Sequence, residues 1–404
     1  MKPISISLSP NTEKDDIFLA FRLLFKCRIW KKGRGVEELE NRFKQYLGSK
    51  HAISFNSGRS SLMAILKSLN LDWNSEVLVQ AFTCNAAVNP ILWSGFKPVY
   101  VDCNENFNID VEDLKKKITP QSKVIMVQHT FGLPADMDKI SEIAKENNLI
   151  LIEDCAHSLG AEYNGKKLGT FGRISFFSFS RDKIISSVYG GMAVTNDDNL
   201  AEKIRKYREG IEYPSYYWIF QQLLHPILMN YLILPFYSVI GKYLLVLFQW
   251  LHILSKAVHW KEKRGEKPCY FPKRMPNALA LLALKQFGKL EKFNRHRKEI
   301  ADFYEQNLKG FELPIQKGVF LRFPIKHSKA HQIIRNAWKR NILIGDWYTS
   351  PIAPDDTKLD KVRYKIGTCP QAEKLAKTTL NLPTHINISK SQAQNIIDFL
   401  GNEI

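Results

Sequence analysis

Residues 123–157 contain two short apolar runs with a helix-like stretch between them, and this pattern decides the fold class. The first run is Lys123-Val124-Ile125-Met126-Val127, and the second is Leu149-Ile150-Leu151-Ile152. A helical pattern near Met137–Asn147 separates the two runs. Apolar runs of this length are typical of buried strands, and a helix between two of them predicts a parallel pair.

The same alternation extends outward from this unit, from Lys50 to about Gly210. Further strands are predicted at Ala52–Phe55, Glu76–Val79, Pro98–Val101, Ile174–Phe179 and Gly191–Thr195, with helices at Ser60–Leu69 and Ala86–Trp93. Strands flanked by helices at this spacing predict a mainly parallel sheet that is covered on both faces. We therefore predict a large α/β domain over residues 1–210.

The sequence from Met275 onward has a different pattern. Helix-period apolar positions cover 277–298 and 299–308, and shorter strand-like pieces follow at 319–323 and 342–345. Ser389, with Gln392 three residues later, is typical of a capping box before a final helix. These features predict a smaller α+β domain over residues 274–404.

Residues 213–255 form an unusually apolar segment in which Lys242 is the only charged side chain. A single spanning helix needs about 20 predominantly apolar residues, whereas three prolines interrupt this segment. A hairpin of amphipathic helices in the membrane interface fits the pattern better, and a basic flank at 256–267 suits anionic headgroups. We predict an apolar helical insertion over 211–273 with membrane contact through 217–254. The alternative is an insertion packed on its own protein or on a second subunit.

Composition limits the classes of protein and partner. The 404 residues are 45% hydrophobic and 24% charged, which allows a large core and excludes a disordered tail or a small disulfide scaffold. The formal net charge of +18 favours anionic partners, namely phosphorylated ligands, nucleic acid or a membrane surface. Six dispersed cysteines and no apolar leader predict a cytoplasmic protein without a metal site or disulfides. We find no nucleic-acid-binding motif in the sequence that would account for the excess of Lys and Arg.

Three segments carry groups that suit one chemical site. Asn56–Ser61 follows a strand and opens a helix, so Gly58 and the free amides can form a phosphate cradle. Asp154 ends a strand at the sheet edge where ligands bind, and its carboxylate could hold a cationic ring nitrogen. Lys183 follows another strand and could form a Schiff base if its amine is deprotonated. Each segment alone has an ordinary structural explanation, but their order predicts one site.

Seven runs of sequence occur in an order that resembles a known family. They are Asn56–Gly58, Ala81–Thr83, Ser94–Asp102, Gly132–Met137, Glu153–His157, Gly169–Gly172 and Ser178–Lys183. The chain resembles the DegT/StrS aminotransferases, pyridoxal-phosphate enzymes of fold type I that aminate nucleotide-linked keto sugars. The resemblance implies a homodimer that takes an amino donor, expected to be glutamate, in surface polysaccharide biosynthesis. It runs from about Gly33 to Gly210 and resumes at Arg274–Phe303.

The resemblance assigns roles to individual residues. Lys183 matches the lysine that binds the cofactor covalently, and Asp154 matches the aspartate that pairs with the pyridine nitrogen. His157 matches the position beside the cofactor's phenolic oxygen. These three are the expected catalytic residues. The positions that match the phosphate cup are Gly58, Arg59 and Ser178, with Ser60 next to them.

Three positions depart from the family pattern. The aromatic that many members stack on the cofactor ring falls on Cys84, and Phe82 is the nearest aromatic. Arg59 stands where the family usually has Thr, so it either pairs with the phosphate or crowds it. Pro272 stands where the family has the Asn that reaches the neighbouring subunit's phosphate.

Two other functions compete with the aminotransferase. A sugar dehydratase on the same scaffold is the nearest alternative, but one such branch has His in place of the lysine, and Lys183 argues against it. A catalytically idle, membrane-attached assembly component would keep the fold, and the departures at Arg59 and Pro272 favour that possibility.

Overall fold

The computed structural model describes residues 3–403. The strands are β1 (Ile4–Ser5), β2 (His51–Phe55), β3 (Glu76–Gln80), β4 (Thr83–Cys84), β5 (Lys97–Val101), β6 (Ser122–Gln128), β7 (Ile150–Asp154), β8 (Glu162–Tyr163), β9 (Lys166–Lys167), β10 (Ile174–Ser178), β11 (Gly191–Thr195), β12 (Arg322–Lys326), β13 (Ile342–Leu343), β14 (Ile352–Ala353) and β15 (Thr379–Pro383). The helices are α1 (Lys14–Leu24), α2 (Gly35–Leu47), α3 (Gly58–Ser68), α4 (Asn85–Trp93), α5 (Val111–Lys117), α6 (Met137–Glu146), α7 (Asp198–Glu209), α8 (Tyr216–Leu228), α9 (Lys242–Trp250), α10 (Asn277–Phe287), α11 (Leu290–Asn307), α12 (Ala330–Lys339), α13 (Pro370–Thr378) and α14 (Lys390–Gly401).

The central sheet has seven strands in the order β2-β11-β10-β7-β6-β3-β5. Five neighbouring strands from β10 to β5 run parallel, and β11 is antiparallel to both β10 and β2. The predicted mainly parallel α/β sheet is therefore confirmed. Because β2 runs in the same direction as the parallel strands, the carboxyl ends of β2, β3, β7 and β10 all meet at one edge.

Successive residues of the central strands enter two different hydrophobic cores. Val79, Met126 and Ile152 belong to one core, whereas Leu78, Ile125 and Leu151 belong to the other. Side chains of a strand alternate between the faces of a sheet, so both faces of this sheet are buried. The first core also contains C-terminal residues of β12 and β15, and the second contains residues of α10.

The C-terminal elements differ in position from those predicted. The helical stretch breaks after Phe287 at Gly288 and Lys289, not between 298 and 299. Apolar periodicity continues through both helices, so a break of two residues leaves no mark on the pattern. Strand β12 begins at Arg322 rather than at 319. The capping box of α14 is confirmed, because Ser389 Oγ accepts from the Gln392 N–H and Gln392 Oε1 accepts from the Ser389 N–H.

The apolar segment forms a bent pair of helices, which we call the hairpin (residues 216–250). Two π-helical segments, Met229–Ile233 and Tyr237–Gly241, lie between α8 and α9, and the axes of the two halves meet at 109°. Among the described residues no single helix is long and apolar enough to cross a membrane. The bent pair taken together has the length and the apolar composition of such a segment.

The two helices of the hairpin are buried to different extents. On α8, Trp218, Ile219 and Leu223 are part of the second core. None of the residues of α9 is buried. The first helix is therefore built into the protein. The second packs Leu245 and Phe248 against a small cluster of the hairpin and exposes Tyr243, Val246, Leu247 and Trp250.

A short parallel pairing joins the C-terminal part of the chain to the sheet edge. Strand β14 pairs with β4, so that Ile352 lies opposite Thr83 and Ala353 opposite Cys84. This pairing brings residues 346–349 to the edge where the main strands end, next to residues nearly 270 positions earlier in the sequence.

Candidate active site

A cavity of about 220 Å³ lies at the carboxyl edge of the sheet. Asp154 ends β7, Ser178 ends β10 and Gly58 begins α3, so three separate strand ends contribute to its wall. Seven of the nine predicted site residues line this cavity: Gly58, Arg59, Cys84, Asp154, His157, Ser178 and Lys183. The three sequence segments singled out for chemistry are therefore brought together in space.

Ser60 and Phe82 do not line the cavity. The Ser60 hydroxyl donates to Asn56 Oδ1, so it stabilises the turn behind the cradle. Phe82 is fully buried and packs against Phe107, Phe131 and Tyr348. The predicted roles of Ser60 and Phe82 in cofactor binding stay predictions.

The start of α3 is built to admit a small anion. Ser57 caps the helix, with its Oγ accepting from the Ser60 N–H, and the first amides of the helix have no partner within it. A Cβ placed on Gly58 would lie 3.0 Å from the Cβ of Ser178. Glycine therefore allows the start of α3 to lie this close to the end of β10. The helix N-terminus, Ser178 and Arg59 together fit a phosphate group.

Asp154 is a buried carboxylate at the floor of the cavity. Its Oδ1 accepts from the Ala156 N–H at 2.9 Å. Burial raises its pKa to about 6, against the opposing effects of this hydrogen bond and of the positive charge of Lys183. A cationic partner inside the cavity would favour the charged form, as a protonated ring nitrogen does.

Glu153, next in sequence, has a structural role instead. Its carboxylate accepts from the backbone N–H groups of Gly169, Phe171 and Gly172 at 2.7–2.8 Å. His129 Nε2 lies 3.3 Å from the same carboxylate. This network fixes the loop that precedes β10 against the end of β7, next to Asp154.

Lys183 has an amine with the properties of a nucleophile. Burial lowers its pKa to about 8, although the nearby Asp154 carboxylate opposes this shift. Its Nζ lies 4.8 Å from the centre of the Trp347 ring, and no residue between 3 and 403 gives it a hydrogen bond or an ion pair. A substantial fraction of this amine is therefore neutral and available at mildly alkaline pH.

His157 is held as a neutral ring. Burial lowers its pKa well below the usual 6.5. Its Nδ1 accepts from the Phe131 N–H at 3.2 Å, so the proton of the neutral ring lies on Nε2. Trp347 stacks on the ring at 5.3 Å. The Nε2–H faces the cavity wall, where it lies 3.5 Å from the Tyr348 hydroxyl, an oxygen that can accept from it.

Sequence reasoning missed the residues that close the other side of the cavity. Asp346, Trp347, Tyr348 and Thr349 all line it. The backbone of Trp347 is clamped by Asn381, whose side chain accepts from its N–H and donates to its carbonyl oxygen. No local signal marks these residues, because long-range contacts place them: the pairing of β14 with β4 and the contacts of Gly345 and Trp347 with Asn381.

The donor set fits pyridoxal phosphate. One cavity wall offers an anion cradle, a carboxylate for a ring nitrogen, a histidine donor and a partly neutral buried amine. Pyridoxal-phosphate sites require these four functions, and here they arise from residues that are far apart in the sequence.

Comparison with known proteins gives an independent result. Residues 11–218 and 249–401 match the model of the DegT/DnrJ/EryC1/StrS aminotransferase family, and the unmatched residues 219–248 fall inside the hairpin. The chain is similar to GDP-perosamine synthase of Escherichia coli O157:H7, with 29% identity over 381 residues that cover 90% of this chain and 88% of that protein.

Solved structures share the fold. PseC of Helicobacter pylori, an aminotransferase involved in the biosynthesis of pseudoaminic acid, superposes with a TM-score of 0.76 at 23% identity, covering 99% of both chains. E. coli GDP-4-keto-6-deoxy-D-mannose-3-dehydratase with bound hydrated PLP gives 0.75 at 20% identity, also covering 99% of both. At these identities the likeness establishes the fold alone, which is fold type I.

Proposed function

This chain belongs to the DegT/DnrJ/EryC1/StrS aminotransferase family, whose enzymes depend on pyridoxal phosphate, and from that premise we propose its specific reaction. It transfers an amino group from glutamate to a nucleotide-linked keto sugar in surface polysaccharide biosynthesis. The observation that carries the proposal is the convergence of Lys183, Asp154 and the Gly58 cradle on one cavity. The similarity to GDP-perosamine synthase supports a nucleotide-linked substrate.

The residues of the cavity divide the chemistry among them. When bound, pyridoxal phosphate supplies an electron sink for the carbon that loses its proton. Asp154 keeps the ring nitrogen protonated through an ion pair. His157 donates its Nε2–H to the phenolic oxygen. Lys183 would hold the cofactor in the resting enzyme, and its freed amine would then take and return the proton at the reacting substrate carbon.

The phosphate end and the opposite wall have separate tasks. Gly58, Arg59 and Ser178 hold the phosphate, and Ser60 supports the turn behind them. Trp347 and Tyr348 exclude water from the reacting atoms, since both are packed against His157. Exclusion of water strengthens the electrostatic contacts of the charged groups inside the site.

A panel of donors and keto sugars tests the reaction. We expect glutamate to convert the bound cofactor from its aldehyde to its amine form, and a nucleotide-linked keto sugar to restore the aldehyde. Absorbance of the purified protein follows both steps, with aspartate and alanine as comparison donors.

Two outcomes of this panel would contradict the proposal. Loss of a sugar hydroxyl without uptake of an amine would identify a dehydratase. No conversion by any donor, with the cofactor bound at Lys183, would identify an idle component.

We further propose the division into a large domain over 1–210, an insertion over 211–273 and a small domain over 274–404. The gap in the family match at 219–248 supports an inserted segment. The homodimer implied by the resemblance is likewise proposed.

The insertion is proposed to lie on the anionic inner face of a membrane through residues 217–254. Exposed apolar side chains of α9 support this contact, since Val246 is 66% and Trp250 73% exposed. Helix α1, which packs against α8, adds the exposed Phe18 and Phe25. The basic residues that follow the hairpin match anionic headgroups in charge: Lys256, Lys261, Lys263, Arg264 and Lys267.

Substitutions on α9 test the membrane contact better than deletion, because deletion would also remove Trp218 and Leu223 from the core. We expect Val246→Asp and Trp250→Asp each to weaken binding to anionic phosphatidylserine-containing vesicles by roughly tenfold or more. Cosedimentation measures the binding, and Ile315→Asp, at a distant exposed position, is the control.

Light scattering on the same variants separates lipid from protein contact. If vesicle binding were unchanged while the molar mass fell by half, this surface would be a contact between subunits, and the membrane proposal would be wrong.

A further inference from the structure

Two arginines are buried side by side at the phosphate end of the cavity. Arg59 is 9% and Arg181 7% exposed, and both line the cavity. Tyr189 lies next to both, and the Arg181 guanidinium is 5.5 Å from its ring centre. Burial lowers the pKa of Arg181, and the positive charge of Arg59 contributes to the same shift. Buried positive charge of this kind is costly unless a negative group compensates it.

The chain compensates these two charges only in part. Arg59 Nε lies 2.6 Å from Glu262 Oε2, and its Nη2 donates to the Ala257 carbonyl oxygen. Arg181 Nη2 donates to Ser255 Oγ, but its Nε is buried without a hydrogen-bond partner among residues 3–403.

The carboxylate that acts on Arg181, that of Asp182, is shared with another arginine. Asp182, the next residue in the chain, lies 3.6 Å from Arg322. Arg181 therefore has no carboxylate of its own, because Glu262 pairs with Arg59 and the charge of Asp182 is shared between Arg322 and Arg181.

Arg297 is a buried structural arginine with more hydrogen bonds than Arg181, although its Nε also has no hydrogen-bond partner among residues 3–403. It donates to Leu321 O, Thr384 Oγ1 and Asn11 Oδ1. Arg297 does not line the cavity. Arg181 differs in both respects, since it has a single hydrogen bond and faces a space large enough for a ligand.

We propose that Arg59 and Arg181 together bind the dianionic phosphate of the cofactor, and that Glu262 and Ser255 are the positioning residues that hold them. The inference rests on the proposed function, because it takes pyridoxal phosphate as the ligand. Guanidinium groups suit a phosphate in charge and in geometry. The inference adds Arg181 to the phosphate site, a role that neither the sequence motifs nor the family resemblance gave to this residue.

The positioning residues lie behind the arginines rather than in the cavity. Glu262 is fully buried and does not line the wall, so its carboxylate orients Arg59 and does not compete for the phosphate site. Ser255 Oγ donates in turn to Gln222 Oε1 on α8. The phosphate end is thus built in part by the hairpin and the segment Ser255–Glu262 that follows it.

Comparison of pyridoxal phosphate with pyridoxal isolates the phosphate contacts. We expect Arg59→Gln and Arg181→Gln each to weaken pyridoxal-phosphate binding about 10- to 100-fold, because each loses a hydrogen-bonded ion pair. Binding of pyridoxal, which has no phosphate, stays unchanged. Protein freed of cofactor by an amino donor and dialysis is titrated by absorbance, with Arg173→Gln, at an exposed ion pair, as the control.

The positioning residues and a conservative variant sharpen the test. Glu262→Gln and Ser255→Ala are expected to weaken pyridoxal-phosphate binding roughly three- to tenfold and to shift the ³¹P resonance of the bound cofactor, again without effect on pyridoxal. Arg181→Lys is expected to recover part of the affinity lost in Arg181→Gln.

If Arg181→Gln lost equal affinity for pyridoxal phosphate and for pyridoxal, Arg181 would have a general structural role. If it lost no affinity for either, Arg181 would not contact the phosphate. Either result overturns the inference while the native protein still binds its cofactor. Failure of the native protein to bind pyridoxal phosphate at all would instead overturn the proposed function as well.

Discussion

Lys183→Ala is expected to abolish covalent attachment of pyridoxal phosphate and all transamination. Among residues 3–403, the Lys183 amine combines burial in the cavity wall with a pKa lowered to about 8, so it is the amine that can react with the cofactor aldehyde. Because the neutral amine is the nucleophile, we expect attachment in the native protein to become faster with rising pH and to level off above about 8.

Borohydride reduction followed by peptide mass mapping measures this attachment directly. The native protein is expected to carry the label on the peptide that contains Lys183, and the absorbance band near the visible edge is expected to vanish in Lys183→Ala. Lys123→Ala, at an exposed position, is the matched control. A label that persisted in Lys183→Ala would place the attachment elsewhere and refute the catalytic assignment.

Asp154→Asn is expected to leave the cofactor attached but to slow amine transfer on the order of a thousandfold. The amide has nearly the same shape and its oxygen can still accept from the Ala156 N–H, so the local fold is kept. It lacks the negative charge that keeps the ring nitrogen protonated, so the ring is a weaker electron sink, and loss of one charge-stabilising group typically slows the chemistry about 10²–10³-fold.

Rapid mixing with glutamate measures the first half-reaction of this variant apart from product release. Attachment monitored by absorbance at a pH well above 8 serves as the internal control, because the Lys183 amine is then neutral with or without the charge of Asp154. A half-reaction within a few-fold of the native rate would show that Asp154 does not pair with the ring nitrogen.

The fold and the main features of the cofactor site were predictable because their signals are local. Short β-branched apolar runs such as Val124–Val127 favour buried strands, and their alternation with helical stretches repeats along the first 200 residues. Residues at the ends of parallel strands meet at one edge, which is why Asp154 and Lys183 line one cavity. The predicted helix boundaries in the C-terminal part differ from those in the structure, because apolar periodicity continues past the break at Gly288.

The class of chemistry, and the positions along the chain of the strands that carry it, could be predicted from local patterns of residues. The residues that complete the site are set by contacts between distant parts of the chain. Trp347 reaches the cavity through the pairing of β14 with β4, and Phe82 turns into the core beside it. Arg59 meets Glu262 across about 200 positions of sequence. Such contacts depend on distance in space and on the compensation of buried charge, and neither quantity can be read from neighbouring residues along a chain.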